Sequence, residues 1–524
     1  MAIPSDIQPF SASGKLHSTW ALTFWCRPEC YSQPESVEQL QAVVRAAHAA
    51  RKTITVVGSG HSPSDLTMTN DWVVNLDRFR QVLSTAPHPA GLYTDVRVEA
   101  GIRIWQLNEA LAAQGLALQN LGSISEQSIA GIISTGTHGS SAFHGLVSQQ
   151  VVNLTLLVAS GELITVSAET EPELFQAALL SLGKLGIITH VTVRAVPAFT
   201  VQSRQEIIDF KHLLKIWDTV WTSSEYVRVW WFPYSAKCIL WRAQKSSKAL
   251  SAPRASWYGT PAGRFFYEAL LWFAVKLYPR ATPAIERWVF SKQYGWDETF
   301  GGAVADEAVQ NSVEGLNMDC LFKQFVNEWA VPMKDGTQIL QLVEDAVLSA
   351  AKSGRYYVHA PIEVRCSNNS YPDPARAVSE FDMVDKTSGF GAIPGNTLRP
   401  LLDISPRVQY PDAAQPITVN NLTLYLNATM YRPFRQDPPI GQWYEEFETI
   451  MMSFGGKPHW AKNFIGLARN KPARLRDGGM VGLAAVYSDW FRAEGAQFKR
   501  LRATYDPDNV FLGGREWAAR NGLV

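Results

Sequence analysis

The stretch "ITVVGSGHSPSD", residues 54–65, ends a β-rich apolar run in a tight loop of small side chains with one histidine, His61. A neutral imidazole nitrogen is a nucleophile, and small neighbours let a flat ring approach it closely. A loop histidine that makes a capping hydrogen bond is the plain alternative. A second loop, "QNLGSISEQSIAGIISTGTHGSSAFHG" (Gln119 to Gly145), holds many Gly, Ser and Thr, two histidines and a single charge, Glu126. Its backbone N–H groups and hydroxyls can cradle a diphosphate without Arg or Lys. A loop of that length is uncommon unless it is functional. "GSGHSP" is not the dinucleotide fingerprint G-x-G-x-x-G, because Pro63 stands at the third glycine, and no Walker A motif is present.

Two further stretches carry polar groups at strand spacing. In "YYVHAPIEVRC" a period of two puts Tyr357, His359, Glu363 and Arg365 on one face and Val358, Ala360, Ile362 and Val364 on the other. One face packs; the other presents a carboxylate and a guanidinium two residues apart, with a solvated surface ion pair as the alternative reading. In "NLTLYLNATMYRPF" the same period groups Thr423, Tyr425, Asn427, Thr429 and Tyr431, so the two strands together suit the floor of a sugar site. "KPHWAKNF" sets His459 and Lys462 three residues apart, either at a site or in a loop that packs Trp460.

These residues need elements to position them. Ser36 and Gln39 resemble a capping box ahead of a helix on which Val37, Leu40, Val44 and Ala47 keep period. Strands are expected at "TITVV", "WVVNL" and "YTDVRVEAG", then a helix at "IWQLNEALAAQG" ended by Gly115. A hairpin turning near Ser160 and Gly161, a helix over "EPELFQAALLSLGKLG" and a strand at "IITHVTVRAV" complete an α+β unit ending near Pro197. Beyond it, "EYVRVWWFPYS", "CILWRAQ" and the two polar-faced stretches alternate as antiparallel strands do, with helices between them. Residues 367–416, rich in Pro, Gly, Asn and Asp, read as a surface insert, and 456–524 as a tail too short to stand alone.

Composition sets outer limits. A chain of 524 residues exceeds one core, so two or three domains are expected. The 48 basic and 48 acidic side chains cancel, and no basic stripe offers a nucleic-acid surface. Five scattered cysteines form neither a disulfide framework nor a zinc set, which points to a reducing compartment and no metal. "MAIPSDIQPF" has none of the features of a signal peptide. "GRFFYEALLWFAVKLYPR", residues 263–280, is apolar and aromatic but carries Glu268 and Lys276, and it is shorter than the ~20 apolar residues of a spanning helix. It reads either as a helix lying in a membrane interface or as one packed on a domain.

The order of "VVGSGHSPSD", "NLGSISEQSIAGIISTGTHGSS", "IEVRCSN", "YRPF" and "GGKPHWAKNF" resembles the aldonolactone oxidases, flavoproteins of the vanillyl-alcohol-oxidase fold, over nearly the whole chain. The chain resembles in particular the fungal members acting on D-arabinono-1,4-lactone. The resemblance implies a two-subdomain PCMH-type FAD-binding domain (1–197), a cap domain whose antiparallel sheet is flanked by helices (198–455), and a C-terminal segment (456–524) that completes the active site. It implies FAD bonded covalently to His61 and held by Val57, Gly58, Ser59, Gly60, Ser62, Gly122, Ser123, Ser125, Gly131, Ser134, Thr135, Gly136, Thr137, His138, Gly139 and Ile187. It makes Glu363, Arg365 and Lys462 catalytic and Tyr425, Asn427 and His459 substrate-binding. His138 and His144 are expected to be structural or adjacent to the pyrophosphate.

The implied reaction takes a sugar lactone and O2 to the dehydrolactone and hydrogen peroxide, at an intracellular mitochondrial outer membrane. A lactone dehydrogenase with a cytochrome acceptor, another sugar or alditol oxidase, and a non-catalytic flavin-binding membrane protein are the alternatives. Related plant-type dehydrogenases have Ala where this chain has Gly122, a methyl thought to shut out O2.

Overall fold

The computed structural model describes residues 3–302, 305–369, 392–407, 417–466 and 482–524. Near its start Ser36 caps the helix Val37–Ala49, its hydroxyl accepting from the Gln39 N–H at 3.3 Å. Gln39 reaches back to the Glu35 N–H, one residue before the position a capping box uses. Leu40, Val43, Val44 and Ala47 form the buried stripe that holds this helix against its sheet.

That sheet has the order Ser11–Ala12, Cys30–Ser32, Trp72–Asn75, Ile54–Val57, with the last three strands parallel. A second, antiparallel sheet runs Leu163–Ser167, Val151–Leu157, Ile187–Pro197, Thr94–Glu99, Val82–Pro87. One large apolar core joins the two sheets. The helix expected over 171–186 is only Pro172–Ala178. Leu182 and Gly183, both at positive φ, end it in turns.

Three residues after Ile187–Pro197 the chain enters an eight-stranded antiparallel sheet. Its order is Asp306–Asn311, Thr200–Asp209, Lys237–Ser246, Tyr226–Phe232, Ile362–Ser367, Thr423–Tyr431, Gln324–Pro332, Lys457–Pro458. The helices Gly336–Ser353 and Gly441–Ser453 cover one face and form a second core with it. The helix Tyr487–Tyr505 returns to the first core through Tyr487, Phe491 and Phe498. Val510 and Gly513 then bond the backbone of Ile54, the first residue of the strand that leads into the His61 loop.

Two expectations need correction. The strand with Glu363 and Arg365 is Ile362–Ser367 and begins only after Pro361, so Tyr357 and His359 are not on its face. Proline lacks the N–H a ladder needs. The segment 392–407, part of the expected surface insert, packs inward: Leu401, Leu402 and Ile404 enter the first core, and Leu402 accepts the Trp460 indole N–H at 2.9 Å. The rest of that insert lies outside the described residues, apart from Ser367–Asn369.

Candidate active site

The strand Ile54–Val57 delivers His61 through a loop held from both sides. Gly60 takes a φ of +68°, and its carbonyl accepts from Trp20 N–H at 2.8 Å. A Cβ on Gly58 would collide with the Ser128 hydroxyl, so glycine is what lets this loop touch the next one. Asn463 donates to Pro63 O at 2.8 Å from the C-terminal segment. The Trp20 ring stacks on the imidazole at 5.8 Å between centroids. Burial pushes His61 down to about 4, so the ring is neutral at ordinary pH. Its Nδ1 is buried without a hydrogen-bond partner of good geometry among the described residues, while the Ser59 backbone acts on the ring.

His61 stands where two cavities meet. One, about 100 Å³, is lined by Val57, Gly58, Ser59, Gly60, Ser62, Gly131, Ser134 and Thr135, together with Thr55, Ser128 and Gly183. The other, about 130 Å³, runs between the glycine-rich loop and the eight-stranded sheet and is lined by Gly122, Ser123, Thr137, His138, Glu363, Arg365, Asn427, His459 and Lys462. Thr55 Oγ1 in the first and Ser123 Oγ and Glu363 Oε1 in the second are buried and unpartnered among the described residues. Buried polar atoms without partners carry a cost that a bound polar molecule relieves.

Glu363 and Arg365 are buried, and Arg365 Nη1 lies 3.8 Å from Glu363 Oε2, so the solvated ion pair is excluded. Arg365 also clamps the loop across from it. Its Nη2 donates to the carbonyls of His138 (3.1 Å) and Gly139 (2.9 Å), and its Nε to Ser140 Oγ (2.7 Å). Ser141 N–H bonds Cys366 O and Asn368 N–H bonds His144 O, which zips the same loop along the strand. Only Nη1 remains to face the cavity.

Two strands along the same sheet, in register with Asn427 and Glu363, Glu328 clusters with His138 and His459 within 4.8 Å. His138 Nδ1 faces the Gly139 carbonyl at 2.9 Å, an acceptor only, so that nitrogen carries hydrogen. Nε2 lies 3.0 Å from Glu328 Oε1, and this contact needs a second hydrogen. Burial and then Arg365 push the His138 imidazole down and Glu328 opposes them, so one proton is held between Nε2 and the Glu328 carboxyl. Burial pushes that carboxyl up, but Lys462 and then His138 outweigh it and hold it well below the usual range. His459 is pushed down to about 3 by burial, and its Nδ1 accepts from the Ala461 N–H. The cluster therefore spends its donor atoms on protein partners, beside the cations Lys462 and Arg365, which does not suit a metal ion. The Lys462 ammonium has no hydrogen bond or ion pair among the described residues.

Several expected site residues do not line either cavity. Tyr425 shares the face of Asn427 but is fully buried beneath His138, whose ring stacks on it at 3.5 Å. Ser125 accepts from Asn317 Nδ2 at 2.6 Å and lines neither cavity. Gly136 packs against Leu180 and Gly139 against Asn120. Ile187 points into the core, and it is Gly186 and Ile188 that line the first cavity. His144 is bonded to Glu225 at 3.0 Å and lines neither cavity, and His359 accepts from Tyr431 N–H at the end of the strand Thr423–Tyr431. Conversely, Trp20, Gln127, Gln324 and Glu328 line the second cavity without having been singled out in the sequence. The alternation Gln324, Val326, Glu328 was the available signal for two of them.

A cleft floored by glycine loops, roofed by a broad antiparallel sheet and centred on a buried neutral histidine defines a flavoprotein, and residues 28–167 match the FAD-binding domain family. The fold is that of a chain described as a solvent-stable cholesterol oxidase (TM-score 0.73, 18 % identity, covering 97 % of this chain and 98 % of that one). A cholesterol oxidase from B. sterolicum superposes equally well (TM-score 0.73, 15 % identity, covering 100 % and 99 %).

Residues 191–521 match the D-arabinono-1,4-lactone oxidase family, and the chain belongs to it. Relatives named D-arabinono-1,4-lactone oxidase include those of Yarrowia lipolytica (58 % identical, covering 97 % of both chains), Candida albicans (51 %, covering 100 % of this chain and 99 % of the other) and Saccharomyces cerevisiae (47 %, covering 96 % of both).

Proposed function

We infer that the chain oxidises D-arabinono-1,4-lactone at C2 with O2 as acceptor, giving dehydro-D-arabinono-1,4-lactone and hydrogen peroxide. The observation that carries this reading is the buried, unpartnered Glu363 Oε1 beside Arg365 and Lys462, in a cavity that begins at His61. FAD fits the cleft: His61 Nδ1 is free to bond it, and Thr55, Ser59, Ser62, Ser134 and Thr135 line the space with hydroxyls. Bound FAD supplies a hydride acceptor at N5 for the C2 hydrogen and returns the two electrons to O2.

The chain's own residues do the rest. Glu363 Oε1 accepts a substrate hydroxyl, Asn427 and Thr429 offer amide and hydroxyl groups along the same strand face, and Arg365 and Lys462 stabilise negative charge as the hydroxyl proton leaves. His459 stays neutral and is tied to Ala461, so it positions rather than accepts a proton. Peroxide release over a panel of aldonolactones tests this reading: D-arabinono-1,4-lactone should give one peroxide per lactone consumed. Turnover without peroxide in air would point to the dehydrogenase alternative.

Gly122 bears on the acceptor. A Cβ there would come 2.8 Å from Thr137 Cγ2 on the cavity wall. Gly122→Ala should slow reoxidation by air far more than reduction by lactone. Pairing it with Thr137→Ser removes the methyl it would strike. Equal slowing of both half-reactions in the double variant would mark a packing defect instead.

Peripheral attachment to an intracellular, mitochondrial membrane is part of the same reading. The helix Pro261–Lys276 buries Tyr267, Leu271 and Ala274 but leaves Phe265 64 % exposed, with Phe266 and Phe273 also outward. No helix among the described residues is long and apolar enough to cross a membrane. Such a face suits a helix lying in the interface plane. Glutamate at Phe265, Phe266 and Phe273 should abolish co-sedimentation with anionic liposomes and leave lactone oxidation unchanged. Wild-type protein that stays in the supernatant would contradict attachment.

A further inference from the structure

A third chamber, of about 340 Å³, lies beneath the helix Pro261–Lys276, which gives it Tyr267, and beside the helix Thr282–Gln293, which gives it Val289 and Gln293. Trp230, Met318, Asp319, Pro361 and Tyr431 line both this chamber and the catalytic cavity, so a single layer of side chains separates the two. Its other walls include the rings of Phe232, Tyr258, Tyr267 and Tyr294. The hydroxyls of Tyr267 and Tyr431 have no hydrogen-bond partner among the described residues, although both side chains are buried. The roof helix turns Tyr267 inward and Phe265, Phe266 and Phe273 outward.

Flat aromatic walls favour a planar ring. Tyrosine O–H groups without partners favour oxygen acceptors on that ring. An exposed apolar roof favours a ligand that arrives from an apolar phase. We propose that this chamber binds a quinone, which serves as a second electron acceptor for the oxidation carried out next door.

The proposal rests on the flavin reading above. The lactone's C–H bond gives up two electrons with its hydrogen, and its hydroxyl gives up a proton. The quinone takes two electrons and two protons and leaves as a hydroquinone; no O2 is consumed and no peroxide forms. One side-chain layer is thin enough for electrons to cross without contact between lactone and quinone.

The test uses the holoenzyme and decylubiquinone. Under nitrogen, lactone alone bleaches the visible flavin band, and failure at this step counts against the flavin reading, not the chamber. Adding decylubiquinone then restores the band at a rate that saturates with quinone concentration. Calorimetry on the oxidised protein reports quinone binding independently of turnover. Val289→Phe fills the chamber and Tyr267→Phe removes one hydroxyl; neither residue lines the catalytic cavity.

Val289→Phe should weaken quinone binding and quinone reoxidation by about tenfold or more. Tyr267→Phe, which keeps the ring and the fold, should weaken both by about fivefold. Reduction by lactone and reoxidation by O2 should stay at wild-type rates in both. Absence of quinone binding to the wild type, or equal binding and reoxidation in wild type and Tyr267→Phe, would overturn the proposal.

Discussion

Arg365→Ala slows reduction of the bound flavin by lactone by about 100-fold or more, the scale expected for loss of one preorganised donor. Nη1 is the part of the guanidinium left for the cavity, and it faces the region where negative charge develops. The other donors hold the carbonyls of His138 and Gly139 and the Ser140 hydroxyl, so the alanine variant also unpins the loop. Arg365→Lys separates the two effects: it keeps a positive charge but loses the planar fork. Its reduction rate should fall between wild type and alanine, with a melting temperature closer to that of alanine.

Glu363→Gln keeps size but replaces one acceptor oxygen by a donor, so it should raise the lactone concentration needed for half-maximal reduction as well as slow the step. Both are read in rapid anaerobic mixing against lactone concentration. Reduction by Arg365→Ala within a factor of about three of wild type would remove Arg365 from the chemistry.

His61→Ala abolishes covalent flavin. Acid-precipitated wild-type protein should stay yellow and its band should fluoresce in a denaturing gel; in the variant both signals should disappear. The prediction follows from an unpartnered Nδ1, a ring kept neutral by burial, and Trp20 holding its plane. Because His61 is pushed down to about 4, attachment of FAD to apoprotein should be independent of pH around neutrality. It should fall only as pH drops through about 4, where the imidazole protonates and loses its lone pair. The variant should still take up FAD reversibly, since the hydroxyl-lined cleft is unchanged. Flavin released from wild-type protein by acid would contradict the tether.

How much of this was legible in the sequence depends on what a residue's environment writes into its neighbours. The His61 loop could be read because glycine is required where two loops touch, and Gly58 against Ser128 is such a place. Glu363 and Arg365 could be read because a strand period of two sorts polar from apolar faces. The same period misassigned Tyr425: it gives the face but not what lies over it, and His138 comes from 287 residues earlier in the chain. It also carried Tyr357 and His359 across Pro361, where the strand had already ended.

In the glycine-rich loop, Ser125 and Gly139 look like Ser123 and Gly122, because small residues in an irregular segment carry no period to tell inward from outward. Leu401, Leu402 and Ile404 were hidden by the polar composition around them, and only the fold shows that they enter the first core. Trp20 reaches His61 from a turn about forty residues upstream that has no motif of its own. Glu328 escaped notice because its importance comes from His138 and Lys462, each more than a hundred residues away.

The central event is transfer of two electrons from a lactone to flavin bound in the cleft that His61 and Glu363 line. The most direct measurement is titration of the oxidised holoprotein with D-arabinono-1,4-lactone under nitrogen, followed in the visible spectrum. The account predicts complete bleaching of the flavin band at one lactone per flavin, and recovery of the band with release of one peroxide when air is admitted. A band that survives excess lactone unchanged would contradict it.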